Sequence, residues 1–163
     1  MAESAFVHES AVLIGDVQLA GDVSVWPHVT LRGDEGKIRI GEGTNVQDGT
    51  TVHMTGGLSH TLVGAHVTVG HHCVLHGCRV GDGALLGMGS IILDNAVIGE
   101  GALIGAGSLV TQNKEIPAHC LAFGNPAKVI RELTPSERED LAESWRHYVE
   151  QAQRYRARRG AGE

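Results

Sequence analysis

The stretch "VGDGALLGMGSIILDNAVIGEGALIGAGSLV", residues 80–110, repeats itself every six residues. Each repeat opens on an aliphatic residue (Val80, Leu86, Ile92, Ile98, Ile104, Val110), usually followed by glycine, with a small or branched residue four positions later. A hexapeptide rhythm marks a parallel β-helix, in which each unit supplies one short strand and one corner. Extended outward, the aliphatic series runs Ile14, Ala20, Trp26, Arg32, Ile40, Val46, Val52, Val63, Val69, Leu75 and Val80, and continues to Ile116. The steps 32→40 and 52→63 exceed six, so "GDEGK" and "TGGLSH" are expected to leave the coil as loops, and the step 75→80 is one residue short.

Composition agrees with an all-β coil of this kind. Among 163 residues there are 23 glycines and only 4% aromatics, so packing must rest on small aliphatic side chains. Three hexapeptides make one triangular turn in the left-handed form of the fold, which the pattern resembles. The coil is expected over residues 1–133. From residue 134 to 163 the chain changes character: "TPSERED" sets Thr134 three before Glu137 as a capping box with Pro135 at the first helical position. Leu141, Trp145, Tyr148, Val149, Ala152 and Tyr155 follow at helical spacing, so a helix over about 135–157 should pack on the coil.

The net charge of −6 argues against a nucleic-acid or anionic-membrane binder, and the basic "RYRARRG" tip reads as a solvated helix end. No apolar run approaches membrane length, and the N-terminus lacks the basic and apolar regions of a signal peptide. Cys73, Cys78 and Cys120 have neither even count nor metal-ribbon spacing, which suits reduced thiols in a cytoplasm. Cys73 falls at a small-residue position pointing into the coil.

"VGHHCVLHGC", residues 69–78, and "TTVHM" around His53 carry the chemistry. His53 and His76 each follow an aliphatic position directly, three steps apart, so they occupy equivalent places on adjacent coils about 4.8 Å apart. Two imidazoles at that separation can share one ion. His71 lies two after Val69, on the preceding face, so one subunit cannot easily bring all three together, but a neighbouring subunit could supply the third ligand. Asp48 sits one coil below His71, where it could orient that imidazole. His8, His28, His60, His66, His72, His119 and His147 are read as surface residues.

"WPHVTLRGDEGKIRIGEGTNVQDGTTVHM", "VGHHCVLHGC", "LLGMGSIILD", "IGAGSLV" and "GNPAKVIREL", in this order, resemble the gamma-class carbonic anhydrase family over about residues 10–133. The resemblance implies a homotrimer whose zinc ligands are His53, His71 and His76, the middle one from a neighbouring chain. It implies an interface pair in Arg32 and Asp34, a residue bonding the metal-bound solvent in Gln47, an asparagine near the site in Asn45, and an interface or supporting acid in Asp48. The activity implied is reversible hydration of CO2 to bicarbonate by a metal-bound hydroxide, with Fe2+ or Co2+ as other ions for the same ligands. The best-studied type of the family carries an acidic loop with a proton-shuttling glutamate just after the first histidine. Here "MTGGLSHT" is short and holds no carboxylate, which leaves Glu35 as the proton acceptor and His60 as a further titrating group. An acyl-CoA thioesterase or acyltransferase-related protein, and a metal-binding trimer without hydratase activity, stand as the alternatives.

Overall fold

In the computed structural model, which describes residues 1–160, the hexapeptide rhythm becomes a parallel β-solenoid closed by one helix. Short strands stack into an 8-stranded and a 10-stranded sheet. The 8-stranded sheet is the first face, running from Phe6–Val7 through Ser24–Val25, Asn45–Val46 and Thr68–Val69 to Cys120–Gly124. The 10-stranded sheet holds the other two faces, joined because Val12–Leu19 and Thr30–Ile40 run unbroken around one corner. At the end of the coil Cys120–Gly124 turns back and pairs antiparallel with Ala127–Glu132. The last three residues of the expected C-terminal unit lie outside the described residues. No helix among the described residues is long and apolar enough to cross a membrane.

Parallel pairing turns the repeat into columns. Val46, Val69, Leu86 and Ile104 form one inward column, and Leu31, Val52, Leu75 and Ile92 another, every member fully buried. Burying one branched aliphatic side chain is worth about 1.5–3 kcal/mol, so each rung adds a similar increment. Seven corners hold a non-glycine residue at φ of 54–59°, and four of these are histidines: His28, His66, His72 and His119. Histidine is enriched in this left-handed region. Those histidines therefore belong to the corners rather than to a ligand set.

The phase of the first coil differs from the sequence reading. Pairing sets Leu19 opposite Ile40, Val25 opposite Val46, and Leu31 opposite Val52, so the inward residues are Leu13, Leu19, Val25 and Leu31. Ile14, Ala20, Trp26 and Arg32 stand one place further on; Ile14, Trp26 and Arg32 point outward, and Ala20 packs partly buried at the edge of the core. "LI" and "VW" offer apolar residues at both phases, and only strand pairing chooses between them. "GDEGK" also stays within Thr30–Ile40 as a bulge, since the pairing jumps from Gly15 opposite Gly33 to Val17 opposite Ile38. "TGGLSH" does leave the coil, as a turn between Thr51–His53 and Thr61–Val63.

The helix, α1, spans Pro135–Gly160 and lies along the first face. Trp26, outward by phase, is covered by it: the ring meets Tyr148 at 5.8 Å and Tyr155 at 5.6 Å, both edge-on. Trp145 stacks on the corner residue His66 at 3.9 Å. Arg156 donates to the carbonyls of Ser4 and Glu3, so part of the basic tip is a tie to the N-terminus instead of a solvated end. Burial pushes the thiols of Cys73 and Cys78 up to about 11 and about 12, which makes both poor nucleophiles.

The capping box closes as the sequence predicts. Thr134 N donates to Glu137 Oε2 at 2.8 Å, and Glu137 N donates to Thr134 Oγ1 at 3.3 Å. Arg131 adds a two-pronged pair to the same carboxylate at 2.7 Å on each oxygen, and these bonds hold Glu137 down at about 2. A depressed carboxyl contributes stability that is complete above its unfolded value and lost as pH falls through the folded one. Glu137→Gln should therefore lower the melting temperature at pH 7. That difference should shrink as pH drops from about 4.5 towards 2, and thermal melts across this range check it.

Candidate metal centre

Two of the three candidate ligands are brought together by the coil itself. His53 pairs with His76 in register, each one place beyond an inward residue. The corrected phase puts Arg32 in the same column, one coil below, since Leu31 pairs with Val52. Arg32, His53 and His76 thus form an outward ladder along one edge of the second face.

Hydrogen bonding fixes how these rings present themselves. His53 Nε2 donates to Asp34 Oδ1 at 3.2 Å, while Arg32 Nη2 approaches His53 Nδ1 at 3.3 Å. Arg32 also donates to Asp34 Oδ2 at 2.8 Å, and the guanidinium beside Asp34 holds its carboxyl below the usual range. His76 Nδ1 donates to Asp94 Oδ2 at 3.0 Å. With those outer protons committed to carboxylates, the inner nitrogens of the neutral rings, His53 Nδ1 and His76 Nε2, carry lone pairs. They face one another 3.4 Å apart. Two converging lone pairs repel; the Arg32 guanidinium at His53 Nδ1 offsets part of that repulsion, and a divalent cation bound by both nitrogens would remove it.

His71 stands at the opposite edge of the second face, just past Thr68–Val69. Asp48 Oδ2 lies 3.1 Å from its Nδ1, so its other nitrogen faces outward. Gln47 and Asn45 sit on this side too, both buried: Gln47 Nε2 donates to Asn45 Oδ1 at 3.1 Å, and Asn45 Nδ2 to Thr68 Oγ1 at 3.0 Å. His71 and Asp48 open into a cavity of about 280 Å³ walled by Trp26, Tyr148 and Tyr155. Glu35 belongs with the first group. It lies in the bulge, where its Oε2 accepts from Gly56 N at 3.1 Å.

The nine candidates thus fall into two groups on opposite edges of one face, and among the described residues no three His, Cys, Asp or Glu side chains of one chain converge as a ligand set. Between the edges runs a column of valine, threonine and isoleucine, with exposed apolar residues at Val12 and Ile91. Val12 and Ile91 share one outward column through Thr30, Thr51 and Val74, and Met88 lies one coil above His71. Val12 is 47% exposed, Ile91 39% and Met88 58%.

Asp94 is the site residue that sequence reasoning missed. It lies two places past the inward Ile92, one coil above Leu75, which sets it over Gly77 and beside His76. The same counting located Asp48 and would have located Asp94. The donor set fits a divalent metal: three imidazoles, each with one nitrogen beside a carboxylate (Asp34, Asp48, Asp94) and the other turned away from it, with Arg32 the group a metal would displace at His53 Nδ1.

Residues 77–112 match the family model "Bacterial transferase hexapeptide (six repeats)". The chain is 45% identical over 157 residues to the carbonic anhydrase of Geobacillus kaustophilus, spanning 96% of this chain and 86% of that one. It is also 45% identical over 153 residues to the mitochondrial gamma carbonic anhydrase 2 of Arabidopsis thaliana, covering 91% of this chain and 55% of that longer protein. Among solved structures, a Bacillus cereus protein described as a candidate acetyltransferase superposes with a TM-score of 0.94 at 48% identity, covering 96% of this chain and 90% of that one.

If Asp48 orients His71, Asp48→Asn should weaken zinc retention by about 10–100-fold. Competition against a chromogenic chelator measures this, and an unchanged affinity would show that the contact is incidental.

Proposed function

The chain belongs to the gamma-class carbonic anhydrase family, and from that premise we propose that it hydrates CO2 reversibly to bicarbonate at a metal centre built from two copies of the chain. The observation that carries the proposal is the approach of His53 Nδ1 to His76 Nε2 at 3.4 Å, each ring with a carboxylate against its far nitrogen. The proposed third ligand is His71 of an adjacent copy. The exposed apolar side chains of Val12, Ile91 and Met88 on this face support an arrangement in which it is covered by another subunit, and a homotrimer closes such contacts in a ring.

A divalent ion held by three neutral imidazoles acts as a Lewis acid that makes water nucleophilic near neutral pH. Zinc is the first expectation, and ferrous iron and cobalt(II) suit the same donors. The chain's own groups supply the rest. Asp34, Asp48 and Asp94 keep protons on the outer nitrogens, so the inner ones stay basic. Arg32 braces both Asp34 and His53. The Gln47 amide, with Asn45 holding its nitrogen, leaves its carbonyl free to accept from the attacking water. Glu35 has one oxygen occupied by Gly56 N, and its Oε1 is the atom proposed to accept the released proton. His60 accepts from Lys37 N on Nδ1, so its Nε2 carries the proton towards solvent. The three free cysteines support a reducing compartment, and we place the protein in the cytoplasm.

The competing reading is acyl-CoA chemistry, favoured by the acetyltransferase description of the Bacillus cereus structure. One set of assays separates the two. Zinc-loaded and iron-loaded protein should hydrate CO2, and kcat should rise with added imidazole buffer while kcat/KM stays nearly constant, because hydration precedes proton release. Glu35→Gln should lower kcat at low buffer and be rescued at high buffer. Absence of hydration with every metal, together with acyl-CoA hydrolysis or acetyl transfer, would overturn the proposal.

A further inference from the structure

Asp94 has more partners than one histidine requires. Its Oδ2 accepts from His76 Nδ1 at 3.0 Å and from Thr55 Oγ1 at 3.2 Å. Its Oδ1 accepts from Ser59 Oγ and from Thr55 N at 3.4 Å. Thr55 and Ser59 form the base of the turn that leaves the coil after His53, where Ser59 N donates to Thr55 O at 3.1 Å and Thr55 N approaches Ser59 Oγ at 3.3 Å. The carboxylate therefore reaches from the coil above His76 down to a turn that begins beside His53, two coils away.

The gap it bridges is kept open by Gly77. That residue sits at φ of 64°, a conformation that glycine adopts without cost. A Cβ there would lie 2.0 Å from Ser59 Oγ and 2.2 Å from Asp94 Oδ1. Any side chain at position 77 would land on the bridge itself. Asp94 is largely enclosed: burial pushes its carboxyl up, but the hydrogen bonds from Ser59 and His76 outweigh burial and hold it below the usual range. A carboxylate with fixed donors on both oxygens is a rigid acceptor.

We propose that Asp94 is a positioning residue, held in place by Thr55 and Ser59, that fixes His76 with its proton on Nδ1 and so ties the 55–59 turn to the metal ligand. This rests on the metal-centre reading and extends it to a turn containing no metal ligand. Free imidazole in water favours the proton on the other nitrogen, so the arrangement at His76 needs an acceptor kept in one place. The turn serves as the brace that keeps Asp94 from rotating away across the glycine gap.

The test reads the histidine without metal as well as with it. Nitrogen-15 histidine NMR of the metal-free protein at pH 8 should show His76 protonated on Nδ1. Asp94→Ala should move that proton to Nε2, Ser59→Ala should produce a mixture, and Asp94→Asn, which keeps an acceptor oxygen, should retain most of the original form. Zinc affinity, by chelator competition, should fall about 10–100-fold in Asp94→Ala and in the same direction but less in Ser59→Ala. Should Asp94→Ala fail to fold, Ser59→Ala and Asp94→Asn carry the comparison. A wild-type protein that pins the Nδ1 proton yet binds no metal supports the positioning role and sinks the metal reading. Wild-type His76 protonated on Nε2, or a proton position and zinc affinity unchanged in both Asp94→Ala and Ser59→Ala, overturns the positioning role and leaves the metal reading standing.

Discussion

Parallel backbone pairing between successive coils is the constraint from which the rest of this structure follows. Each strand is only two or three residues long at most rungs, too short to be stable alone, and gains its stability by stacking in register on the rungs above and below. Register then decides everything lateral. A side chain in the pleat faces the core or solvent, and its neighbours along the axis are set by the ladder rather than by nearness in sequence. Thus Val52 meets Leu75, and for the same reason His53 meets His76, 23 residues away.

Insertions are accommodated only where they do not break the ladder. The "TGGLSH" segment leaves at a corner, so Thr51–His53 and Thr61–Val63 keep their partners on either side. The "GDEGK" segment bulges inside a long strand, and the bulge delivers Asp34 to His53 and Glu35 to Gly56. Both departures from the repeat occur beside the paired histidines. Regular rungs supply His71, Asp48 and Gln47, and the two interruptions add Asp34, Glu35 and the 55–59 turn beside the paired histidines. Gly77, within the one-residue-short step from Leu75 to Val80, has no Cβ and so leaves the space that Asp94 and Ser59 fill.

Much of this was legible in the sequence, for a physical reason. A side chain facing a narrow core must be aliphatic at every rung, so residues 80–110 display the fold almost without interruption. The stacked histidines and Asp48 followed from counting along that rhythm. The first coil was harder: at Leu13–Ile14 and Val25–Trp26 an apolar residue follows the inward one, so both phases look alike in sequence, and at Trp26 the outer phase is apolar because α1 covers it. Trp26 shows the reason, being outward yet only 7% exposed. Asp94 lies on the same count, two places past Ile92 and one coil above Gly77, but nothing in the one-dimensional pattern marks a lone carboxylate there as the partner of His76. The ties from Arg156 to the N-terminal carbonyls had no signal in the sequence, because nothing periodic links residues 152 positions apart.

The central claim is that the candidate ligands form one centre only across two copies of the chain, His53 and His76 from one and His71 from the next. Mixing subunits tests this directly. A chain carrying His71→Ala and a chain carrying both His53→Ala and His76→Ala should each purify without bound zinc. Unfolded together and refolded as mixed oligomers, they should regain zinc, because some interfaces then pair an intact His71 edge with an intact His53–His76 edge. Zinc recovered in the mixed oligomers, measured by atomic emission after gel filtration, is the result this account predicts. Mixed oligomers that form but hold no more zinc than either variant alone would contradict it.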